Sequence, residues 1–300
     1  MRLFYCDHFV LPLPREHRFP MEKYRLLRMG VETLLDETGG DLCVPDAATD
    51  AELGTVHDEE YLRRVREGSL STSEIRRIGF PWSHALVERS RRSVGGTLSA
   101  ARAAVQDGLS VNLSGGTHHA FPDRGEGFCV FNDVAVAARV LCREGVVQRC
   151  VVLDLDVHQG NGTAFIFRDD PTVFTLSVHG ANNYPFRKEP GDLDMELPDG
   201  AGDRDFLDIA MDGVRSALSA SAFDLAFFIA GADPFEGDRL GRVSVSKEAL
   251  QERDRFVFAA CRKAGIPLAV VMGGGYATDI NDTVDIHVNT VRQAADSIRR

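Results

Sequence analysis

Apolar positions along this chain fall into two registers. In the first third they recur at helical spacing. Met21, Tyr24, Leu27, Val31, Leu34 and Leu35 line one face and predict a helix over 21–38, closed by Gly39-Gly40. Asp58 is a natural cap for a short helix that reaches Val65 and stops at Gly68, and a long helix is predicted from Ser83 to Asp107, with Gly108 as its stop. A short strand over 3–6 precedes them, and 69–82 reads as irregular. From Ser110 onward the register changes. Runs at 110–113, 150–155, 172–178, 224–230 and 266–272 are β-branched or aromatic and apolar on both faces. Between and after them lie amphipathic stretches at 132–143, 163–167, 203–220, 246–264 and 279–297. Strands that alternate with helices predict a mainly parallel sheet covered on both faces, an α/β three-layer fold. No linker, repeat or low-complexity segment divides it, so one domain over 1–300 is expected. Three loops, 114–131, 179–202 and 231–245, exceed ordinary connection lengths, and loops of that size are commonly functional.

Composition narrows the class. Hydrophobic residues at 44% and charged residues at 26% are ordinary for a globular chain, and no apolar run approaches membrane-spanning length. The opening MRLFYCDHFVLPLP lacks the apolar core and cleavage site of a signal peptide. Six scattered cysteines without a CxxC read as reduced thiols, and a cytoplasmic protein is expected. A net charge of -11 argues against nucleic acid as a partner and favours cationic substrates.

The chemistry concentrates where the strands end. Asp154, Asp156 and His158 in VVLDLDVHQGNGT are two residues apart, so their side chains can lean to one side of the strand end. Two carboxylates and an imidazole brought together are costly to bury unless a cation holds them, and zinc, iron or manganese suits such donors. Ser114-Gly115-Gly116-Thr117-His118-His119, Ser177 with His179, Gly231-Ala232-Asp233 and Gly273-Gly274-Gly275-Tyr276 follow other strands. Each alone has a plain reading: an exposed loop, a turn, a flexible glycine run, a packed tyrosine. Parallel sheets bind ligands at the carboxyl ends of their strands, and all of these fall on that edge together.

The motifs GGTHHA at 115–120, GFCVFND at 127–133, DLDVHQGNGT at 154–163, GAD at 231–233 and GGGY at 273–276 resemble the zinc-dependent histone deacetylase superfamily, whose fold is of the arginase/deacetylase type. YCDHFVLPLPREHRFPMEKYRLL, from Tyr5 onward, is similar to the class IV branch and its bacterial relatives. The resemblance implies zinc on Asp156, His158 and Asp233 with an open position, Fe(2+) being an alternative metal. It implies that His118 and His119 flank a zinc-activated water, one as general base and the other as electrostatic partner or acid. It gives Tyr276 the oxyanion bond and Asp154 the orientation of one tandem histidine. It implies a structural potassium held by Asp154, Asp156, His158, Ser177 and Val178, and a narrow channel walled by Gly127, Phe128 and Tyr184. Many members carry Asp where this chain has Asn161, so His119 is expected to be more often neutral. The implied reaction is hydrolysis of Nε-acyl-lysine in proteins, acetyl by default. A small acylated amine such as an acetylpolyamine is the alternative substrate. Nothing in 69–82 matches the substrate-anchoring acid of the family, and 79–82 with 114–117 are candidates for the wall around the acyl group. An arginase-type ureohydrolase would need further carboxylates for a second metal, and a binding protein would not need His118, His119 and Tyr276 together. Native metal, acyl length and oligomeric state are not fixed by these motifs.

Overall fold

A computed structural model describes residues 1–14 and 16–299. Its strands are β1 (Arg2–Phe4), β2 (Asp41–Cys43), β3 (Leu109–Asn112), β4 (Cys150–Asp154), β5 (Val173–Gly180), β6 (Leu193–Leu197), β7 (Leu225–Gly231) and β8 (Leu268–Gly273). The helices are α1 (Lys23–Thr38), α2 (Asp50–Leu53), α3 (Glu59–Glu67), α4 (Thr72–Ile78), α5 (His84–Asp107), α6 (Asp133–Arg143), α7 (Asn161–Phe167), α8 (Asp203–Ser219), α9 (Lys247–Ala264) and α10 (Ile280–Arg299). The eight strands form one sheet in the order β2-β1-β3-β8-β7-β4-β5-β6. Every neighbouring pair is parallel.

Strand alternation builds two cores. Val151, Leu153, Ala226, Phe228, Leu268 and Val270 face the layer of α1, α8, α9 and α10. Val152, Leu225, Phe227, Ile229, Ala269 and Val271 face α5 and α6. This double burial is why the strands read as unbroken apolar runs. Among the described residues no helix is long and apolar enough to cross a membrane.

Four elements escape the periodicity argument. α2 and α4 are too short to show a buried stripe, and each carries a capping box instead, Thr49 with Glu52 and Ser71 with Glu74. β2 is three residues long. β6 alternates Leu193, Met195 and Leu197 with acids, but it lies at the sheet edge inside a polar loop.

The topology fixes where chemistry can sit. From β4 the chain moves outward to β5 and β6, and from β7 it moves the other way to β8. The carboxyl ends of β4 and β7 therefore diverge into a crevice, the place where such sheets bind ligands. Arg253 of α9, wholly buried, holds this crevice from behind. Its Nη1 donates to the carbonyls of Gly231 at 2.6 Å and Leu155 at 3.3 Å, one on each strand end. Asp254 accepts from Arg253 Nε at 2.8 Å and from the Thr290 hydroxyl at 2.6 Å.

Two other buried histidines bear on stability. His57 is satisfied on both sides, Nδ1 donating to the Phe121 carbonyl at 3.0 Å and Nε2 accepting from Asn132 N at 3.0 Å. Burial holds it down to about 4. His287 has no hydrogen-bond partner on either nitrogen among the described residues. Burial first, then the charges of Lys23 and Arg253, push it down to about 3. Both are neutral when folded but titrate near 6.5 when unfolded. Between pH 6.5 and 4 the unfolded chain therefore binds protons that the folded chain refuses. Stability must fall on acidification, by up to about 1.4 kcal/mol per pH unit for each group. Because His287→Leu breaks no hydrogen bond, it should leave the melting temperature at pH 7 unchanged or higher and flatten the acid dependence. Thermal melts in chelator between pH 4.5 and 7.5 read both, and an unaltered slope would refute the assignment.

Candidate active site

Asp156 and His158 lie just past the end of β4, and Asp233 two residues past β7. Backbone bonds aim them. Asp156 Oδ1 accepts from His158 N at 2.9 Å, and Asp233 Oδ1 accepts from Val157 N at 3.0 Å. His158 Nδ1 is then 3.0 Å from Asp156 Oδ1 and 3.0 Å from Asp233 Oδ2. The three donor atoms lie within 4.8 Å of one another, and all three residues are buried. Ligands about 2.0 Å from a tetrahedral ion sit about 3.3 Å apart, so this spacing fits one divalent cation. Two carboxylate oxygens and an imidazole suit zinc or ferrous iron and leave a coordination position open. Gly274 is obligatory beside them: its φ is +54°, and a Cβ there would reach Asp233 Oδ2.

The tandem histidines come from the loop after β3, pinned by the start of α6. Asp133 accepts from the amide and hydroxyl of Thr117, both at 2.7 Å, and Asn132 Nδ2 donates to the Ala120 carbonyl at 3.2 Å. His118 Nδ1 lies 2.6 Å from Asp154 Oδ2. Burial pulls His118 down, but the adjacent Asp154 and Asp156 outweigh it and hold it at about 9. Binding a cation at Asp156 would cancel part of that rise. His119 Nδ1 lies 2.7 Å from Asn161 Oδ1. Asn161 Nδ2 donates to Glu126 Oε1 at 2.8 Å, which also accepts from the Tyr184 hydroxyl at 2.9 Å. The carboxylate fixes which end of the amide faces His119, so Nδ1 carries the proton and Nε2 keeps its lone pair. Burial, with His118 and His158 beside it, keeps His119 well below its ordinary value. Glu126 supplies a carboxylate one residue farther out.

Tyr276, from the loop after β8, is held by its backbone N–H, which donates to Asp238 Oδ2 at 2.6 Å. Burial, then Asp233 and Asp156, keep its phenol protonated far into the alkaline range. Gly127, Phe128, Tyr184, His119, His158 and Tyr276 line one cavity of about 460 Å3. Gly127 cannot be replaced, because its φ is +57° and a Cβ would stand 2.6 Å from the His119 ring. Phe128, at φ +65°, is the one non-glycine residue with positive φ among those described. Its amide is clamped on the Ile78 carbonyl at 2.8 Å, which holds an unfavourable backbone in place. Two cavities of about 50 Å3 lie deeper, one lined by Gly115, Gly116 and Thr117, the other by Phe80, Gly115 and Thr117. Trp82 faces elsewhere, its indole N–H on the Val65 carbonyl at 2.7 Å.

Sequence reasoning overlooked several groups. Lys23 is wholly buried and donates to the Gly274 and Gly275 carbonyls, with Nζ 5.0 Å from the Tyr276 ring centroid. Burial lowers it to about 8 against the pull of Asp233, Asp238 and Asp156. The signal was available, since Lys23 is in register with Leu27 and Val31 on the buried stripe. Glu126 and Asp238 sat in loops with no periodic cue. The expectation of a cationic substrate from whole-chain charge does not extend to the mouth, which Arg18, Arg77, Arg239 and Arg242 line without a carboxylate. Glu74, the sole acid of 69–82, is taken by Arg64 and by the Ser71 cap.

The family model described as Histone deacetylase domain matches residues 17–291. An uncharacterized protein of Picosynechococcus is 45% identical over 296 residues, 97% of each chain. Acetoin utilization protein AcuC of Bacillus subtilis is 31% identical over 288 residues, 87% of this chain and 73% of its own. The crystal structure of an HDAC homolog from Aquifex aeolicus superposes with a TM-score of 0.80 at 22% identity, covering 98% of this chain and 83% of that one.

The Glu126–Asn161–His119 relay carries a direct test. Imidazole nitrogen NMR should find His119 neutral and protonated on Nδ1 from pH 6 to 8. In Glu126→Ala the Asn161 amide is free to turn, and the Nε2-protonated tautomer should appear. A wild-type His119 protonated on Nε2 would overturn the relay.

Proposed function

The chain belongs to the histone deacetylase family, and from that premise we propose that it hydrolyses the amide bond of Nε-acyl-lysine side chains, acetyl by preference, using one divalent cation. The observation that carries the reading is the convergence in one cavity of His119, His158, Phe128, Tyr184 and Tyr276, with Asp156 and Asp233 each 3.0 Å from His158 Nδ1. Asp156, His158 and Asp233 would hold zinc, or ferrous iron in its place. That cation would supply Lewis acidity toward the amide carbonyl and an attacking water.

The remaining chemistry belongs to the protein. His119 Nε2 is the group available to take a proton, because its Nδ1 proton is committed to Asn161. His118, bonded to Asp154, is the electrostatic partner and reserve acid. Tyr276, kept protonated, donates to the oxyanion as the carbonyl becomes tetrahedral. The proton taken by His119 then goes to the leaving amine, which departs as lysine while the acyl group leaves as a carboxylate. Phe128 and Tyr184 suit the apolar lysine stem between them, and Gly127 leaves room beside His119. Deep cavities of about 50 Å3 each support a short acyl group over a long fatty chain. The same reading gives a potassium ion to Asp154, Ser177 and the carbonyls of Asp156, His158 and Val178. It is supported by Asp154 and Ser177 standing opposite each other on β4 and β5.

Chelation should abolish hydrolysis, and zinc or ferrous iron should restore it. His119→Ala and Tyr276→Phe should keep their metal and lose about 100- to 1,000-fold in turnover, whereas Asp156→Ala and Asp233→Ala should lose the metal itself. Metal content measured beside activity separates these. Rates on acetyl-, octanoyl- and myristoyl-lysine peptides should fall in that order. If all three resist while N-acetylputrescine or another small amide is cleaved, the enzyme is a small-molecule amidohydrolase instead.

A further inference from the structure

The charged side chains at the mouth of the site are opposite in sign to the net charge of the molecule. The chain has a net charge of -11, yet the side chains lining the mouth include Arg18, Arg77, Arg239 and Arg242 and no carboxylate. These residues come from separate parts of the chain: the segment before α1, the end of α4 and the loop after β7. Among the described residues only Arg242 of the four has an acidic partner, Asp199 at 3.3 Å, and that pair is exposed. Among the described residues the side chains of Arg18, Arg77 and Arg239 form no ion pair. Arg239 is nonetheless fixed. Its Nε donates to the Tyr276 carbonyl at 2.9 Å and its Nη2 to the Arg18 carbonyl at 3.2 Å. Backbone carbonyls satisfy two donors without an ion pair, and further N–H groups remain free for a ligand. The side chain of Arg77 has no protein partner among the described residues, although its carbonyl holds the Gly127 amide at 3.1 Å.

Charges gathered at a cleft mouth repel like charge and draw in the opposite sign over roughly a Debye length, about 8 Å at physiological salt. A basic peptide or a polyamine would bring cations to unpaired arginines. A substrate with carboxylates beside the acylated amine would pair with them, and guanidinium suits carboxylate in a bidentate manner. We propose that this site takes acyl-lysine whose immediate surroundings are anionic, and that Arg18, Arg77 and Arg239 form the selecting rim. The proposal rests on acyl-lysine hydrolysis as the reaction and adds the charge of the substrate to it. The carboxylates can belong to acidic residues flanking the lysine in a protein, or to the α-carboxylate of free Nε-acetyl-lysine.

The test compares kcat/KM of the metal-loaded enzyme on equal-length acetyl-lysine peptides flanked by Asp, Gly or Lys, and on free Nα-blocked Nε-acetyl-lysine against its amide. Exposed pairs are individually weak, so Asp flanks should exceed Lys flanks by about tenfold at low salt. The gap should close as NaCl rises to 0.5 M and shrink in Arg18→Gln/Arg77→Gln, which alters neither metal ligands nor tandem histidines. A gain for the free carboxylate over its amide without a gain for Asp-flanked peptides would assign the rim to small molecules. Lys-flanked peptides cleaved as fast as Asp-flanked ones, with the amide equal to the acid, would overturn the proposal and leave the reaction standing. If no acyl-lysine is cleaved, the reaction is wrong. Fluorescence anisotropy of labelled Asp- and Lys-flanked peptides then decides the rim by itself, equal binding refuting it.

Discussion

Everything at this site depends on keeping two buried carboxylates close together. Asp156 and Asp233 each lie 3.0 Å from one imidazole nitrogen and are shielded from water. Burial and mutual repulsion oppose that arrangement, and a divalent cation would relieve both. The surrounding backbone is arranged to tolerate it. Amides of Val157 and His158 point at the carboxylates, glycine at 274 leaves the room a side chain would occupy, and the parting of β4 from β7 opens the crevice. His118, His119 and Tyr276 face that point.

The sheet and the residues gathered at its carboxyl edge were legible in the sequence for a common reason. Both-face burial writes each central strand as an apolar run, and a polar residue directly after the run marks the carboxyl edge. Asp156, His158, Asp233 and Tyr276 could thus be placed on one edge before any coordinates. What was not legible depends on contacts between distant loops. Glu126 reaches Asn161 across 35 residues, and Asp238 reaches Tyr276 across 38. Neither pairing leaves a periodic trace. The short elements were hidden differently. α4 buries only Ile78, so its signature is the Ser71–Glu74 capping box and not a stripe. Lys23 broke the pattern in plain view, as a cation on an otherwise apolar face.

Charge shows the limit of composition most directly. An excess of acids over the whole chain says how the molecule behaves at long range, in solubility and non-specific encounter. It says little about a cleft a few residues wide. Here the acids of the neighbouring segments are already engaged: Glu74 with Arg64, Glu126 with Asn161 and Tyr184, and Asp238 with the backbone of the Tyr276 loop. The charged side chains that line the mouth are arginines.

Arg253 also bears on how such a protein can change over time. Its guanidinium grips the β4 and β7 ends from the helical layer behind the sheet, while the walls of the mouth come from loops on the other side. Donor spacing and substrate contacts thus answer to different segments. Insertions or charge reversals in the rim loops would change the substrate contacts without disturbing the spacing of Asp156, His158 and Asp233. The scaffold separates what is hydrolysed from how, and a lineage built on it can diversify the first while the second stands still.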